Sequence, residues 1–384
     1  MPSGLDRIND TNPKRQRGSH HSRAKARSTG GRKSPSEEVL EAGEMTILGL
    51  DIGGANIKAA DANGRTLSRP FAIWKHPEQL AEQIESICGE FPKTTRLAVT
   101  MTAELADCFA TKAEGVRSIL DQVDACQRDE SCVVWTTDGQ FVSSAVAREQ
   151  PMLVAAANWH ALATWVGTHL TSSSGPFKKA LLVDIGTTTT DIIPLIRGVP
   201  ATVGRTDVTR SQSGELCYSG VKRTPLCAVA HSVPFRDGYC TMAAELFATT
   251  LDVYLLLGDI PEDEHDLETA NGKPATRVAA HDRIARMLCG DRDEVSLDEA
   301  IQIARFLADV QRQRLAGALD RVVQRQHAPC ETVVISGSGS FLARRLVTDN
   351  RRLANAKVLS LDEILSPGIA EAACAYAIAR LCSI

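Results

Sequence analysis

Aromatic residues are scarce in this chain: Phe, Trp and Tyr make up 4% of its 384 residues. Its cores must therefore rest on Leu, Ile, Val and Ala, and the hydrophobic fraction of 43% supplies enough of these for large cores in two domains of ordinary size. No uninterrupted apolar stretch approaches the roughly 18–20 residues of a membrane span. The polar start has no hydrophobic segment of the signal-peptide kind. Among the 11 cysteines there is no Cys-x-x-Cys pair. Scattered reduced thiols are expected rather than a disulfide frame or a zinc site. The net charge of −4 argues against a protein built to coat nucleic acid. Nor is there a G-x-x-x-x-G-K-[ST] loop or a full dinucleotide fingerprint. These absences point to a soluble cytoplasmic protein with no membrane partner, and speak against nucleic acid as its main partner.

What is present is a repeated sentence. Leu181-Leu182-Val183-Asp184-Ile185-Gly186-Thr187-Thr188-Thr189-Thr190-Asp191-Ile192-Ile193 reads as strand, tight turn and antiparallel strand. Ile47-Leu48-Gly49-Leu50-Asp51-Ile52-Gly53-Gly54-Ala55-Asn56-Ile57-Lys58-Ala59-Ala60 says the same thing earlier in the chain. Glycine in such a turn lets backbone N–H groups approach an anion, and Thr hydroxyls add donors. Phosphate-binding candidates are Ile52, Gly53, Gly54, Asn56 and Lys58 in the first copy, and Gly186, Thr187, Thr188 and Thr189 in the second. Asp51 and Asp184 end the two strands in equivalent positions, suited to a hydrated Mg²⁺ beside phosphates. One copy alone would signify little. Two copies point to two facing lobes that share one phosphate site.

Residues 1–44 are rich in Ser, Gly, Arg, Lys and Asn and too poor in apolar residues to order themselves. They read either as a basic arm for nucleic acid or a membrane surface, or as a dispensable extension before Met45. Met45, immediately before the first strand, favours the second. The first lobe is expected at 45–175, with strands at Thr46–Asp51, Asn56–Asp61, Arg65–Ser68, Arg96–Thr100 and Cys132–Thr136. Helices are expected at Pro77–Cys88, Gly115–Cys126 and Met152–Leu170. Glu104 and Asp107 are three apart, so a helix would put both carboxylates on one face. They are candidates for general base or metal work, or simply for a solvated helix start. His160, within the third helix, reads as a packed residue. The loop Thr171–Pro176 marks the lobe boundary.

The second lobe, 176–384, begins with the Asp184 hairpin. The segment 204–224 is dense in polar groups and punctuated by glycine, and reads as irregular. Its Arg205, Asp207, Arg210 and Glu215 are substrate-binding candidates, since clustered arginines suit carboxylate or phosphate. A solvated surface loop would look the same. Helices follow at Met242–Leu257, Arg277–Leu288 and Leu297 to about Gln326. Strand Thr332–Ile335 then enters the Gly337 and Gly339 turn and a helix, a third anion-facing element. A final Ala-rich helix, Ile369–Leu381, has the small residues that allow close approach to a neighbour.

This order of elements resembles the two-lobed actin-like ATPase (ribonuclease H-like) α/β fold shared by actin, sugar kinases and heat-shock chaperones. There, two hairpins clasp phosphates across an interlobe cleft. Val183 to Asp191 is similar to hydantoinase/oxoprolinase proteins. Leu50 to Lys58, Met101 to Asp107, Gly204-Arg205-Thr206-Asp207 and Gly214-Glu215-Leu216-Cys217-Tyr218 together resemble one branch of them. That branch is the tetrahydromethanopterin-linked one-carbon proteins, which include the furan-methanamine synthases of methanofuran biosynthesis. The resemblance implies a transferase that joins an aminomethylfuran-methyl diphosphate to the phenol of a glutamyl-tyramine or tyrosine-like acceptor. It implies Mg²⁺ through Asp51 and Asp184, Glu104 or Asp107 as the base, and Arg205 and Arg210 on acceptor carboxylates. The alternatives are an ATP-dependent kinase, an oxoprolinase-like hydrolase, or a non-catalytic nucleotide-dependent scaffold.

Overall fold

The computed structural model describes residues 46–126, 131–172, 175–176, 178–326 and 329–383. The basic stretch 1–44 lies outside the described residues.

Two mixed six-stranded sheets dominate. In spatial order the first runs Thr66–Pro70, Asn56–Asp61, Ile47–Ile52, Arg96–Met101, Ser131–Trp135, Phe141–Ser143. The second runs Val199–Pro200, Thr190–Ile196, Lys179–Ile185, Thr332–Ser336, Lys357–Ser360, with Leu216–Cys217 also pairing to Thr190–Ile196. The two sheets repeat one plan. In each, a strand forms an antiparallel hairpin on one side and pairs in parallel with a later strand on the other.

Strand alternation decides where the site lies. Leu48, Leu50 and Ile52 are buried in the first sheet's own core, so Asp51 points to the opposite face. That face is covered by the last helix, Ala373–Cys382, whose Ala375 backbone leaves no room for a side chain on Gly49. In the second sheet, Leu181, Val183 and Ile185 pack on one side and Ala180 and Leu182 on the other. Asp184 therefore points towards the layer holding Trp165, Ala373, Ala375 and Tyr376. The Ala-rich helix does approach a neighbour closely. Its Tyr376 ring meets Trp165 of helix Asn158–His169 at 5.5 Å, edge to face. Both strand-end aspartates thus face one middle layer.

Five elements depart from expectation. The helix expected over Met152–Leu170 is two helices, Pro151–Val154 and Asn158–His169. Between them Ala155 bridges to Met101 and Ala156 takes a left-handed φ of 48°. A long-range pairing has overridden local helix preference. Met242–Leu257 is helical only from Thr250, where Thr249 and Asp252 form a capping box; Gly238–Thr241 is a strand. The 204–224 segment contains a helix, Asp207–Ser213, capped by Thr206 and closed by left-handed Gly214. The final helix is broken into Pro367–Glu371 and Ala373–Cys382. The segment Thr171–Pro176, expected as a loop, carries a two-stranded ribbon.

Candidate active site

The two hairpins close identically. Gly53 donates its N–H to Asn56 O and Gly186 donates to Thr189 O, each at 2.9 Å. Among the described residues, no internal acceptor takes the N–H of Gly54 or Ala55 in the first turn, or of Thr187 or Thr188 in the second. These four N–H groups sit at matched, partly exposed turns, where they are free to meet water or an anion. Gly54 has open space where a side chain would stand, and Gly186 meets only Thr189 O at 3.6 Å. Ile52 is fully buried, so it can serve an anion only through its backbone.

Register sets the side chains beside the turns. Asp51 lies opposite Lys58, whereas Asp184 lies opposite Asp191. Burial raises the Asp51 carboxyl to about 6, with nearby Lys58 opposing the rise, and Oδ1 of Asp51 has no hydrogen-bond partner. Asp184 is pushed to about 7, first by burial and then by Asp191, with Asp51 adding to the repulsion. A hydrogen bond from Ser336 and the charge of Lys58 pull the other way. Lys58 itself donates to Glu371 O at 2.7 Å. The Cys374 thiol, next to these acids, is held protonated by burial and by the charges of Asp51 and Asp184. Two coupled carboxylates with an orphaned oxygen suit a hard divalent cation. Among the described residues no three His, Cys, Asp or Glu side chains form a ready-made cage. Mg²⁺ typically uses only one or two carboxylates and takes its other ligands from water and phosphate, so Asp51 and Asp184 fit it.

Glu104 stands apart from Asp107. A 3₁₀ turn over Ala103–Leu105 ends at Ala106, which is extended, so the two carboxylates never share a helical face. Glu104 is 1% exposed, whereas Asp107 points to solvent. The Glu104 turn leans on the first hairpin through Thr102 N–H to Ile52 O, 3.0 Å. Helix Lys112–Ala125 presses against it at Gly115, where any side chain would strike the Glu104 backbone. Burial lifts the Glu104 carboxyl to about 7; the N–H groups of Glu104 and Ala156 and the charge of Lys112 lower it, and Asp207 raises it. Neither carboxylate oxygen has a well-aligned donor. Lys112 Nζ is 4.0 Å from Glu104 but 2.5 Å from Asp207. The lysine is committed to Asp207, so Glu104 keeps a proton affinity suited to acid–base work near neutrality.

The remaining candidates scatter. Arg205 is exposed and pairs with Asp138. Arg210 is buried, bonds Asp191 at 2.6 Å and stacks 3.9 Å from the Trp159 ring centre. It reaches the site only through Asp191. Glu215 is spent on its own loop: it accepts from Val203 N at 2.7 Å, Gly204 N at 2.9 Å and Ser213 Oγ at 2.8 Å. Gly337, at φ +87°, packs so tightly that a Cβ would sit 2.6 Å from Asp184 Oδ1, and Gly339 donates to Ile185 O at 2.8 Å. These two glycines press the late turn onto the Asp184 strand end. His160 is a packed neutral residue, lowered by burial to about 4 and hydrogen-bonded to the Trp135 indole. Sequence reasoning missed Asp191 and Lys112 as site residues. Hairpin register would have exposed the first; nothing local marks the second.

The hydantoinase/oxoprolinase family pattern matches residues 96–381. The chain belongs to that family. A synthase from Methanocaldococcus jannaschii is 31% identical over 343 residues, covering 88% of this chain and 98% of the relative. A synthase of the same name from Methanococcus vannielii is 32% identical over 186 residues, covering 48% of this chain and 82% of the relative. Both are named (4-{4-[2-(gamma-L-glutamylamino)ethyl]phenoxymethyl}furan-2-yl)methanamine synthase. Among solved structures, nucleotide-free acetone carboxylase matches at 12% identity, covering 84% of this chain and 51% of that one, with a TM-score of 0.47. The Clostridium difficile activator of 2-hydroxyisocaproyl-CoA dehydratase, with bound ADPNP, matches at 15% identity over 88% of this chain and 96% of that one, TM-score 0.41. Nothing about activity rests on those two. The paired hairpins and sheets of this hydantoinase/oxoprolinase protein form the two-lobed actin-like α/β fold. Among its described residues, no helix is long and apolar enough to cross a membrane.

Proposed function

We propose that this family member is a transferase of methanofuran-type cofactor biosynthesis, working on small molecules in the cytoplasm. It joins an aminomethylfuran-methyl diphosphate to the phenol of a glutamyl-tyramine or tyrosine-like acceptor and releases diphosphate. The observation that carries this reading is the set of unused N–H groups at Gly54, Ala55, Thr187 and Thr188, beside the coupled Asp51 and Asp184. A product named for a phenoxymethyl-furan linkage in the 31% identical relative supplies the bond to be made.

In the reaction the bond between the furan CH₂ and diphosphate oxygen breaks, and its electron pair leaves with the diphosphate. The furan oxygen spreads the positive charge left on carbon. The N–H groups of both turns stabilise the charge growing on the leaving group, where oriented donors are worth most. Asp51 and Asp184 would hold Mg²⁺, which neutralises diphosphate charge. The phenol oxygen attacks the CH₂, and Glu104 takes its proton. A free phenol has a pKa of about 10, so the transfer is uphill at rest. It turns downhill as the C–O bond forms and the oxygen becomes strongly acidic. Glu104, at about 7, is ionised often enough at neutral pH to accept it. Lys112, bound to Asp207, stands 4.0 Å from that carboxylate without hydrogen-bonding it. Arg205 is exposed but paired with Asp138, so it would have to leave that partner to meet an acceptor carboxylate, whereas Arg210 fixes Asp191.

Incubation with furan-methyl diphosphate, Mg²⁺ and a glutamyl-tyramine tests this by mass spectrometry. The aryl ether and diphosphate should appear one for one, and no diphosphate should be released without the phenol. Steady ATP turnover with the furan diphosphate left intact would contradict the proposal.

A further inference from the structure

Two short segments outside the hairpins are fastened to the two turns. In the first half, Phe71 and Ile73 donate their N–H groups to Ala55 O and Gly54 O at 2.9 and 3.2 Å, which fixes Trp74 beside the first turn. In the second half, Val221 donates to Gly186 O at 3.1 Å, and Lys222 and Arg223 both donate to Thr187 O at 3.0 Å. Gly220 lies so close that a Cβ there would stand 2.5 Å from Gly186 O and Thr187 O. Arg223 is therefore fixed beside the second turn. The two segments meet: the Arg223 guanidinium carbon lies 5.1 Å from the centre of the Trp74 ring. This contact bridges the turns.

Charge makes it more than a packing contact. Lys222 is committed to Asp266 at 3.1 Å, Arg205 to Asp138 and Arg210 to Asp191. Among the described residues no carboxylate pairs with Arg223, which is exposed. Among the described residues its guanidinium lies over the face of Trp74, itself 38% exposed. An exposed cation–π contact is weak, whereas a guanidinium on phosphate makes two charge-assisted hydrogen bonds. A diphosphate seated on the turns would outcompete the ring.

We infer that Arg223 is a diphosphate-binding residue, held on the face of Trp74 until the anion reaches the two turns. On binding, the guanidinium moves from ring to phosphate and frees the Trp74 face at the mouth of the site. This deepens the proposed function and rests on its assignment of the turns to diphosphate, whatever the acceptor is.

The test is titration of the full chain with inorganic pyrophosphate and Mg²⁺, followed by calorimetry and by tryptophan emission. Arg223→Gln should weaken binding by about tenfold to a hundredfold, the worth of hydrogen bonds to a charged group. Trp74→Leu should not weaken binding: affinity should stay level or tighten by up to about two- to fivefold, because the resting contact is lost. The emission change of wild type on adding pyrophosphate should be largely absent in Trp74→Phe. Equal binding by wild type and Arg223→Gln would overturn the inference while leaving the turns as the anion site. Equal weakening in Trp74→Leu and Arg223→Gln, at wild-type melting temperature, would also overturn it, since the pair would then be a strap. If wild type binds no pyrophosphate at all, the reading of the turns falls, and this inference with it.

Discussion

The two hairpins are near copies in backbone and opposites in surroundings. Each ends a strand on Asp-Ile, closes with a glycine N–H, and receives a hydrogen bond on its Ile carbonyl from the segment after the neighbouring parallel strand: Thr102 to Ile52, Gly339 to Ile185. Beyond that they diverge. Asp51 faces Lys58 across the first hairpin, whereas Asp184 faces Asp191; burial raises both carboxyls, Lys58 opposes the rise at each, and Asp191 adds to it at Asp184. The segment after the first neighbouring strand delivers Glu104, while the corresponding segment in the second half delivers Gly337 and Gly339. In the proposed function the repeated scaffold divides its roles: both turns would hold the anion, and only the first half would carry a base. On that proposal, symmetry would account for the binding surface and its breaking for the chemistry.

The largest expected effect comes from removing the feature without a counterpart. Glu104→Gln should slow ether formation about a hundredfold to ten-thousandfold at pH 7. In wild type the rate should rise with pH through about 7 as Glu104 ionises. The defect of the variant should shrink towards pH 10, where the phenol ionises unaided. A defect that does not vary with pH would remove Glu104 from this role.

A second comparison uses glycines. Gly337→Ala must place a Cβ at φ +87° against Asp184 and Ile185, so the second half should lose about 1–3 kcal/mol in denaturant unfolding. Gly54→Val meets open space, so the melting temperature should hold while pyrophosphate affinity collapses. If Gly54→Val binds pyrophosphate normally, the first turn is not part of the site.

The smallest effect is on stability against pH. Asp51 and Asp184 rise from an ordinary 3.8 to about 6 and about 7 on folding. A raised carboxyl favours the folded state while protonated, so this contribution is complete below pH 3.8 and is lost as pH climbs through 6–7. Asp184→Asn should therefore gain on wild type between pH 4 and 7. Mg²⁺ should recover the loss, raising the melting temperature by about a few degrees at pH 8 and hardly at all at pH 5. Equal Mg²⁺ shifts in wild type and Asp184→Asn would place the cation elsewhere.

The sequence shows the repeated hairpins because their signals are local: an apolar run, Asp, Gly and a second apolar run. Alternation alone then sends Asp51 and Asp184 to the same kind of face. The segment Asp207–Ser213 was also locally marked, by Thr206 as a cap and Gly214 as a stop, although the surrounding polar residues read as irregular. Other features rest on contacts distant in sequence. Ala156 breaks a convincing helix because Ala155 pairs with Met101, fifty-odd positions away. Glu104 owes its burial to Gly115 and its proton affinity partly to Asp207, a residue of the other half. Lys112 looks like any lysine at a helix start until the fold brings Asp207 to it.

The central claim is that the two hairpins serve one diphosphate. A double-mutant cycle on Asp51→Asn and Asp184→Asn, read as kcat/KM for ether formation, tests it most directly. Each single change should cost about 3–4 kcal/mol, roughly a hundredfold to a thousandfold. Because both act on one charge, the double variant should be less than about tenfold worse than either single. A double variant whose loss is the full product of the two singles would show two independent sites, and would contradict the account.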